Sequence, residues 1–472
     1  MKGASNTPEA FSGLAWRSAF PFLIVGAVVL TAALLGILTR PMGFLAAFWP
    51  ANAILLGLMV RVPRLSIPSG WIGALAGYLL ADLVTGGEPV VTAWLTFANM
   101  VGALTGFLLY QLLSDGDRCL CRPKSVLYLL GVCAASAFMS ALAGAGAARL
   151  VFGRGFLDGL EFWFVTEIVN SLVILPVLLT VPARFRFSSA EWSAMRRSTR
   201  ASLAPLAALI VSLTAGGVIG GPGMIAFPIP ALIWCALTTT RFATAMVTSA
   251  TAAWLLVAVQ LGFVDIGVAG DPLYWTGSLR LGIALMVLAP LAVVTINAAR
   301  IRLMNQLSYM VDHCSLTGVL SRTAFHECGQ DLMTGSRNDL PISVMMLDID
   351  HFKSINDQFG HAVGDRVLQA FADAVSNVVR SRDAIGRLGG EEFAVVLSGV
   401  SLERATRIAE RIVAAVEKLE VIENGHAISI TVSIGTAQSG SDPDVSFSDL
   451  LGKADAALYS AKQAGRNRVV AT

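Results

Sequence analysis

Ten apolar stretches of about 17 to 26 residues run through residues 19–299, each near the length needed to cross the hydrocarbon of a bilayer. They centre on Leu23–Leu38, Phe44–Val60, Trp71–Leu83, Val91–Leu113, Val126–Ala147, Phe156–Leu179, Leu203–Ile219, Ile225–Leu237, Ala243–Phe263 and Leu281–Ala298. The third and eighth are the weakest. Of the 472 residues, 55% are apolar and 14% charged. The last third has the charge content of an ordinary soluble domain, so the earlier part is more apolar than that average. The expectation is a polytopic α-helical membrane domain of eight to ten spans over 19–299, behind a polar leader at 1–18. The leader and the length of the first apolar run argue against a cleavable signal peptide.

Charge tests that arrangement. Arg61 and Arg64, Arg118 to Lys124, Arg184 to Arg200, Arg241, and Arg300 with Arg302 fall in alternate connections. The intervening connections hold Arg40, Glu88, Arg149, Arg154, Asp265, Asp271 and Arg280. Cations stay on the cytoplasmic side, so both termini are expected there. Asp82, Glu161 and Glu167 lie in or near spans, where a charge is costly and faces a cavity or a partner. Asn170 stands one turn from Glu167 and gives that span a polar face. Helix–helix hydrogen bonding and ligand contact both account for it. All five histidines (His313, His326, His351, His361, His426) lie in or beside the C-terminal region. The membrane part therefore lacks histidine ligands for haem or copper. Cys119 and Cys121 are too few for a zinc site, and the six cysteines suggest no disulfide framework.

The C-terminal part has a different grammar. Gly389-Gly390-Glu391-Glu392-Phe393 sits between two strand-like runs, Asp383 to Leu388 and Ala394 to Leu397. The glycines read as a hairpin turn, since glycine reaches positive φ without a Cβ clash. Two adjacent carboxylates there repel each other, which a divalent cation or a proton would relieve. Upstream, Val344 to Asp350 is an apolar run ending in alternate carboxylates, Asp348 and Asp350. Two acidic strand ends on one sheet can hold Mg²⁺ for phosphate chemistry. Taken singly, each motif has an ordinary reading as a solvated strand end or a polar turn.

Their order along the chain is more telling. Leu316-Thr317-Gly318 is followed by Asp348 to Asp357, Phe359-Gly360-His361 and Gly364-Asp365. Then come Gly389 to Phe393, Ser433-Ile434-Gly435, Asp455 to Lys462 and Gly465-Arg466-Asn467. From Leu316 to Val470 the sequence closely resembles the GGDEF family, the diguanylate cyclases. The resemblance implies an α/β ferredoxin-like, nucleotide-cyclase-like sheet over 316–472. It also implies condensation of two GTP into cyclic di-GMP with release of two pyrophosphates.

By the same resemblance, the Asp348 carboxylate, the Ile349 carbonyl and Glu391 are metal ligands. Glu392 either helps hold a second metal or accepts the proton of the attacking 3′-hydroxyl. Two Mg²⁺ ions per site are implied, or Mn²⁺. Backbone amides from His351 through Phe352 to Lys353 would cradle the terminal phosphates, with Lys462 and Arg466 supplying charge. Asn356 and Asp365 match the positions that read guanine, and His361 borders the substrate or shapes its turn. Phe352 and Phe393 read as core aromatics.

Arg380-Ser381-Arg382-Asp383, nine residues ahead of the turn, fits the family's Arg-x-x-Asp inhibitory site. By the same resemblance, Arg411 occupies the position that supplies a second inhibitory arginine in some relatives. An arginine fork grips phosphate or a guanine edge, so feedback by bound cyclic di-GMP is expected. At the domain entrance Cys314 and Ser321 depart from the family's usual aspartate and asparagine. Activation, rather than chemistry, is the function those positions touch.

Trp49-Pro50-Ala51-Asn52-Ala53, with Asn99 in a later span, resembles the bacterial membrane-associated sensor domains of the first MASE type. The place expected is therefore a bacterial inner membrane. Between the two domains, 300–315 reads as a signalling helix. Leu303, Leu307, Met310 and Cys314 form a short coiled-coil-like stripe. Each cyclase domain binds one GTP, so a homodimer is required. The partners expected are GTP, cyclic di-GMP, a second copy, membrane lipid and an undefined sensor ligand, with no nucleic acid. Two other readings stay open: an inactive nucleotide receptor, and a transporter with a regulatory domain.

Overall fold

The computed structural model describes residues 8–38, 48–146, 155–182, 189–260, 272–335, 341–423, 426–439 and 445–472. The expected leader residues 1–7 and Phe44, Arg40, Ala147, Arg149, Arg154, Arg184, Phe263, Asp265 and Asp271 lie outside the described residues. The chain forms two compact units, Met1–Ile301 and Arg302–Thr472.

In the first unit, each of the ten apolar stretches falls on a helix. They are α1 (Pro8–Leu38), α2 (Ala51–Arg61), α3 (Pro68–Val84), α4 (Pro89–Gln111), α6 (Ser125–Gly144) and α7 (Phe156–Thr180). The others are α8 (Ser189–Ile219), α9 (Pro228–Thr238), α10 (Arg241–Gln260), and α11 (Pro272–Met286) running on into α12 (Leu288–Asp312). The single turn α5 (Asp115–Arg118) precedes α6. Among the described residues, six helical segments are long and apolar enough to cross a membrane, from Ala19–Leu38 to Gly277–Asp312. Six candidate spans are the pattern of a multi-pass membrane protein. Ala51–Arg61, Leu203–Ile219 and Gly223–Thr238 are apolar but shorter.

The second stretch is helical from Ala51, so Trp49 precedes the helix rather than sitting inside it. Pro50 disfavours the helical conformation for the residue before it. Helices α1 and α3 meet through glycines. A Cβ on Gly73 would strike the Phe22 backbone, and one on Gly77 would stand 2.7 Å from the Gly26 carbonyl oxygen. Such contacts let two backbones approach closely in lipid. Between α4 and α6, Ser136 and Ser140 donate to the carbonyls of Gly102 and Ala98 at 2.7 and 3.0 Å.

The connections carrying the expected cytoplasmic cations touch one another. Arg118 closes the end of α4 by donating to the carbonyls of Tyr110 and Leu113 at 2.9 and 3.0 Å. Arg61 reaches the Val181 carbonyl and the Cys119 sulfur, and Arg241 reaches Leu120 and the Cys121 sulfur. The two cysteines thus face guanidinium groups.

The second unit is built on a sheet with strand order β2-β3-β1-β6-β7. Its strands are β1 (Ile342–Ile349), β2 (Ala384–Gly389), β3 (Glu392–Ser398), β6 (Val432–Gln438) and β7 (Val469–Ala471); β4 (Glu420–Glu423) and β5 (His426–Ser429) form a separate hairpin. Pairings are antiparallel except β6 with β7. All eight residues of β1 are buried, Ser343 and Asp348 among them, as its place in the middle of the sheet requires. Met345, Leu347 and Ile349 pack under α14 (His361–Val378) and α15 (Leu402–Glu417). Val344 and Met346 pack on the other face with Phe325, Phe447 and Leu450. This is the α/β layering expected of the ferredoxin-like class. On β6, a Cβ at Gly435 would overlap the backbone of α16 (Phe447–Gln463) at Ala454 and Leu458, which accounts for glycine there.

Helix α12 ends at Asp312, so Leu303, Leu307 and Met310 share a helix but Cys314 does not. Cys314 sits in a turn, its amide donating to the Val319 carbonyl. Leu303, Leu307 and Met310 are 57%, 48% and 70% exposed, an uncovered apolar stripe within the chain.

Candidate active site

The β2–β3 hairpin closes through Gly390 and Glu391, with Gly390 at φ +26°. Arg387 pins this turn by donating Nε and Nη2 to the Gly390 carbonyl at 3.0 and 2.6 Å. The register of β1 against β3 pairs Asp348 with Glu392 directly, and the Ile349 amide reaches the Glu391 carbonyl at 3.4 Å. The end of β1 and the acidic turn are therefore one place. Asp348 is buried, Glu391 half-buried and Glu392 exposed.

Lys462, in the last turn of α16, places Nζ 2.7 Å from Asp348 Oδ2. The lysine expected on the triphosphate thus lies against the carboxylate expected to hold a metal. Burial pushes the Asp348 carboxyl above its ordinary range, Lys462 pulls it back, and Asp350 adds to the rise. Glu391 is raised as well, chiefly by burial and then by the charge of Asp348. A carboxyl raised in the folded state adds stability below the ordinary carboxylate range and loses it as pH rises through the raised value. At neutral pH both groups therefore work against folding.

The donors suit a hard divalent cation, which takes carboxylate and carbonyl oxygen. Asp348 and Glu392 each raise Glu391, so the cluster holds negative charge that Lys462 does not offset. Among the described residues, no three acidic, histidine or cysteine side chains already converge as a ready-made metal cage. Asp348, Glu391, Glu392 and the Ile349 carbonyl are the groups that would hold such an ion.

Asp350 plays a different part. Its carboxylate accepts from Thr431 Oγ1 at 2.8 Å, Ser433 Oγ at 2.7 Å and the Asn467 amide at 3.1 Å. It is 5% exposed, and Asp348 6%, so neither carboxylate is the solvated strand end that Asp-x-Asp suggests. Asp350 ties β1, β6 and the 465–467 loop together. That loop runs through positive φ at Gly465, Arg466 and Asn467, and it leaves Arg466 exposed within electrostatic reach of Asp348. Sequence reasoning missed both Asp350 as an anchor and Arg387 as the turn's clamp. The recurring Thr431 and Ser433 hydroxyls were the available signal for the first.

The remaining residues flank α13 (Phe352–Phe359). His351 enters it at φ +58°, and the first-turn amides of Phe352 and Lys353 have no partner within the helix, a ready site for anions. Phe352 is buried, while Lys353, His361 and Asp365 are exposed and Asn356 is partly buried. Asn356 packs so closely on Gly364 that any Cβ there would overlap its side-chain oxygen. Phe393 is core, its ring tilted at 53° to that of Phe371 with 4.8 Å between centroids. Arg380, Asp383 and Arg411 lie apart from the acidic turn in sequence and on other elements. Asp383 Oδ2 accepts from the Arg380 amide at 3.1 Å, whereas its Oδ1 is buried with no hydrogen-bond partner. Arg380 and Arg411 are exposed.

The domain entrance reaches the turn directly. Leu320 donates to the Ile385 carbonyl and accepts from the Arg387 amide, extending the edge beside β2. Cys314 Sγ lies 3.6 Å from Arg387 Nη1. Burial pushes this thiol up, but hydrogen bonds from Thr317, Leu316 and Arg387 outweigh it and bring it down to about 7. A depressed folded value means that the stabilisation is present above the ordinary thiol range and lost as pH falls through about 7. Iodoacetamide labelling of Cys314 is accordingly expected to reach half its maximal rate near pH 7, against near 9 for an unperturbed thiol. Mass mapping of the labelled peptide measures it.

Known proteins resemble this chain along much of its length. The family described as diguanylate cyclase, GGDEF domain, matches residues 311–468. The probable diguanylate cyclase DgcF of Escherichia coli O157:H7 is 33% identical over 429 residues, covering 90% of this chain and 89% of that protein. DgcF of Escherichia coli strain K12 is 37% identical over 312 residues, 65% of this chain and 95% of that protein. A solved structure of the coiled coil and GGDEF domain of DgcB from Caulobacter crescentus, in complex with c-di-GMP, is 30% identical. It covers 38% of this chain and 95% of its own, with a TM-score of 0.36.

Proposed function

The chain belongs to the GGDEF family of diguanylate cyclases, and from that membership we propose a membrane-gated enzyme that makes cyclic di-GMP and is restrained by it. It is a diguanylate cyclase. In each of two steps a 3′-oxygen forms a bond to the α-phosphorus of the partner GTP, pyrophosphate leaves, and the hydroxyl proton is taken up by a base. The observation that carries this reading is the pairing of Asp348 with Glu392 at the β1–β3 register, beside the Glu391 turn. Magnesium or manganese bound there, two ions per site, would neutralise phosphate charge and make the attacking hydroxyl more acidic.

The protein's own groups do the positioning. Asp348, Glu391, Glu392 and the Ile349 carbonyl hold the ions; the amides of Phe352 and Lys353, with Lys462 and Arg466, bind the triphosphate. A carboxylate accepts from both N1–H and the amino group of guanine, which suits Asp365 with Asn356 to GTP rather than ATP. Purified protein in nanodiscs, given GTP and Mg²⁺, should yield cyclic di-GMP by mass spectrometry and should leave ATP uncondensed. Absence of that product overturns the reading.

Two copies must meet, because each domain holds one nucleotide and the two sites must face each other. The exposed stripe of Leu303, Leu307 and Met310 supports pairing through α12, and the Leu320 link from the entrance to β2 supports gating by that helix. In this reading both termini lie in the cytoplasm of a bacterial cell, where GTP is available, as the distribution of cations between the spans supports. Inserting one to four alanines after Arg302 rotates the cyclase domain relative to the membrane helices by roughly 100° per residue. Activity should be lowest with two alanines and highest with four; insertions that all behave alike reject register control.

Feedback rests on the Arg380–Asp383 turn. The unpartnered Asp383 Oδ1 and the exposed Arg380 and Arg411 suit a guanine edge and a phosphate. Arg380→Ala should weaken inhibition by cyclic di-GMP about tenfold or more, the scale of one lost bidentate contact, with the initial rate near wild type. Progress curves with added product measure both quantities.

A further inference from the structure

Cys119 and Cys121 stand two apart in the turn that follows α5, both partly exposed and neither in a disulfide. Backbone hydrogen bonds fix that turn at each position. The Cys119 amide donates to the Asp115 carbonyl at 3.2 Å, Leu120 to Asp117 at 3.2 Å and Cys121 to Gly116 at 2.8 Å. Leu120, between the cysteines, sits at φ +50°, a left-handed conformation uncommon for a bulky side chain. Its side chain is buried in the bundle's apolar core, which holds the turn in place. The Cys121 sulfur folds back to 3.6 Å from the Cys119 carbonyl oxygen. Two α-carbons this near in the chain, across a tight turn, fall within the roughly 4.4–6.8 Å that a disulfide spans.

Each sulfur also faces a cation. Arg61 Nη1, at the end of α2, lies 3.1 Å from Cys119 Sγ, and Arg241 Nη1, at the start of α10, contacts Cys121 Sγ. Arg118, Arg122 and Lys124 add charge that Asp115 and Asp117 offset only in part. These surroundings do not suit a metal ion. It would meet positive charge, and among the described residues no third acidic, histidine or cysteine ligand joins the pair. A disulfide of the glutathione class is anionic, and the same charge draws it in.

We propose that Cys119 and Cys121 form a dithiol site that such a small disulfide oxidises reversibly. One cysteine sulfur bonds to a sulfur of the reagent, and one glutathione thiolate leaves. The second cysteine then attacks the first, closing the protein disulfide and expelling the glutathione still attached. The two protein S–H protons pass to the two departing thiolates; the protein sulfurs are oxidised and the small disulfide is reduced. In a compartment that keeps thiols reduced, a bond of this kind is transient and suits redox sensing. A disulfide sulfur is a poorer acceptor than a thiolate, so oxidation loosens the contacts that tie α2 and α10 to this loop. The proposal does not depend on the cyclase reading, because the bond is read by mass.

The test uses full-length protein in nanodiscs, with glutathione disulfide as the reagent and neutral hydroxyethyl disulfide as its control. Peptide mapping separates this pair from Cys314 and Cys328, which are also partly exposed. The peptide holding both cysteines should lose two hydrogens and regain them in excess reduced glutathione. Cys119→Ser and Cys121→Ser should each stop at the mixed disulfide, heavier by one glutathionyl group. Raising the salt concentration should slow the glutathione reaction of the wild type about fivefold and change the neutral reaction by less than about twofold. The salt series needs no variant, so it decides even if a serine variant does not fold. A wild-type peptide that never closes its own disulfide, or an equal salt response of the two reagents, overturns the proposal.

Discussion

Glu391→Gln is expected to reduce cyclic di-GMP synthesis by about a thousandfold, the scale of losing several kcal/mol of metal-borne charge stabilisation. The same variant should melt no lower than wild type in EDTA. Glu391 is held above its ordinary range by burial and by Asp348, so its ionised form opposes folding at neutral pH. Glutamine keeps the shape and removes the charge. Mg²⁺ at about 100 times its Kd should stabilise the wild-type soluble unit by about 2.7 kcal/mol and the variant by much less. Turnover and scanning calorimetry with and without Mg²⁺ supply all four numbers. A variant that kept a tenth of wild-type activity would remove Glu391 from the ligand set. One that melted lower in EDTA would mean the carboxylate is structural.

Asp350→Ala acts in the opposite way. It removes a buried carboxylate from Thr431, Ser433 and the Asn467 amide, leaving three donors without their acceptor. Charge-assisted bonds of this kind contribute about 1.5–3 kcal/mol each, non-additively, so a loss of about 4 kcal/mol is expected. That corresponds to roughly 10 °C in the soluble unit's transition. Because the 465–467 loop carries Arg466, activity falls too, but through a disordered wall of the site. Hydrogen exchange should accelerate at Asn467 and along the start of β6 before it does in β1. A melting temperature within 2 °C of wild type, a loss of under about 1 kcal/mol, would show that Asp350 is dispensable to the fold.

The two aspartates show where reading the chain stopped. Asp348 and Asp350 stand two apart at the end of one apolar run and look alike in sequence. The strand ends at Ile349, so Asp348 points toward Lys462 and the acidic turn, while Asp350 turns into the hydroxyls of β6. Partners more than 80 residues away set the two aspartates apart. Arg387 was legible only as a strand residue, and its grip on the Gly390 carbonyl follows from the irregular register between Arg387 and Gly389.

Periodicity and length were enough for the membrane part to declare itself, because lipid admits few alternatives to apolar helices. Motif order was enough for the sheet and its acidic end. What composition and spacing left open was which polar groups meet inside the bundle. Asn52, Asn99 and Glu167 lie on three helices far apart in the chain, and only their packing joins them through hydrogen bonds. Local sequence dictates the period of an element and the hydrogen bonds it makes with itself. The partner of a buried charge depends on chain folding at long range, and that belongs to the tertiary structure alone.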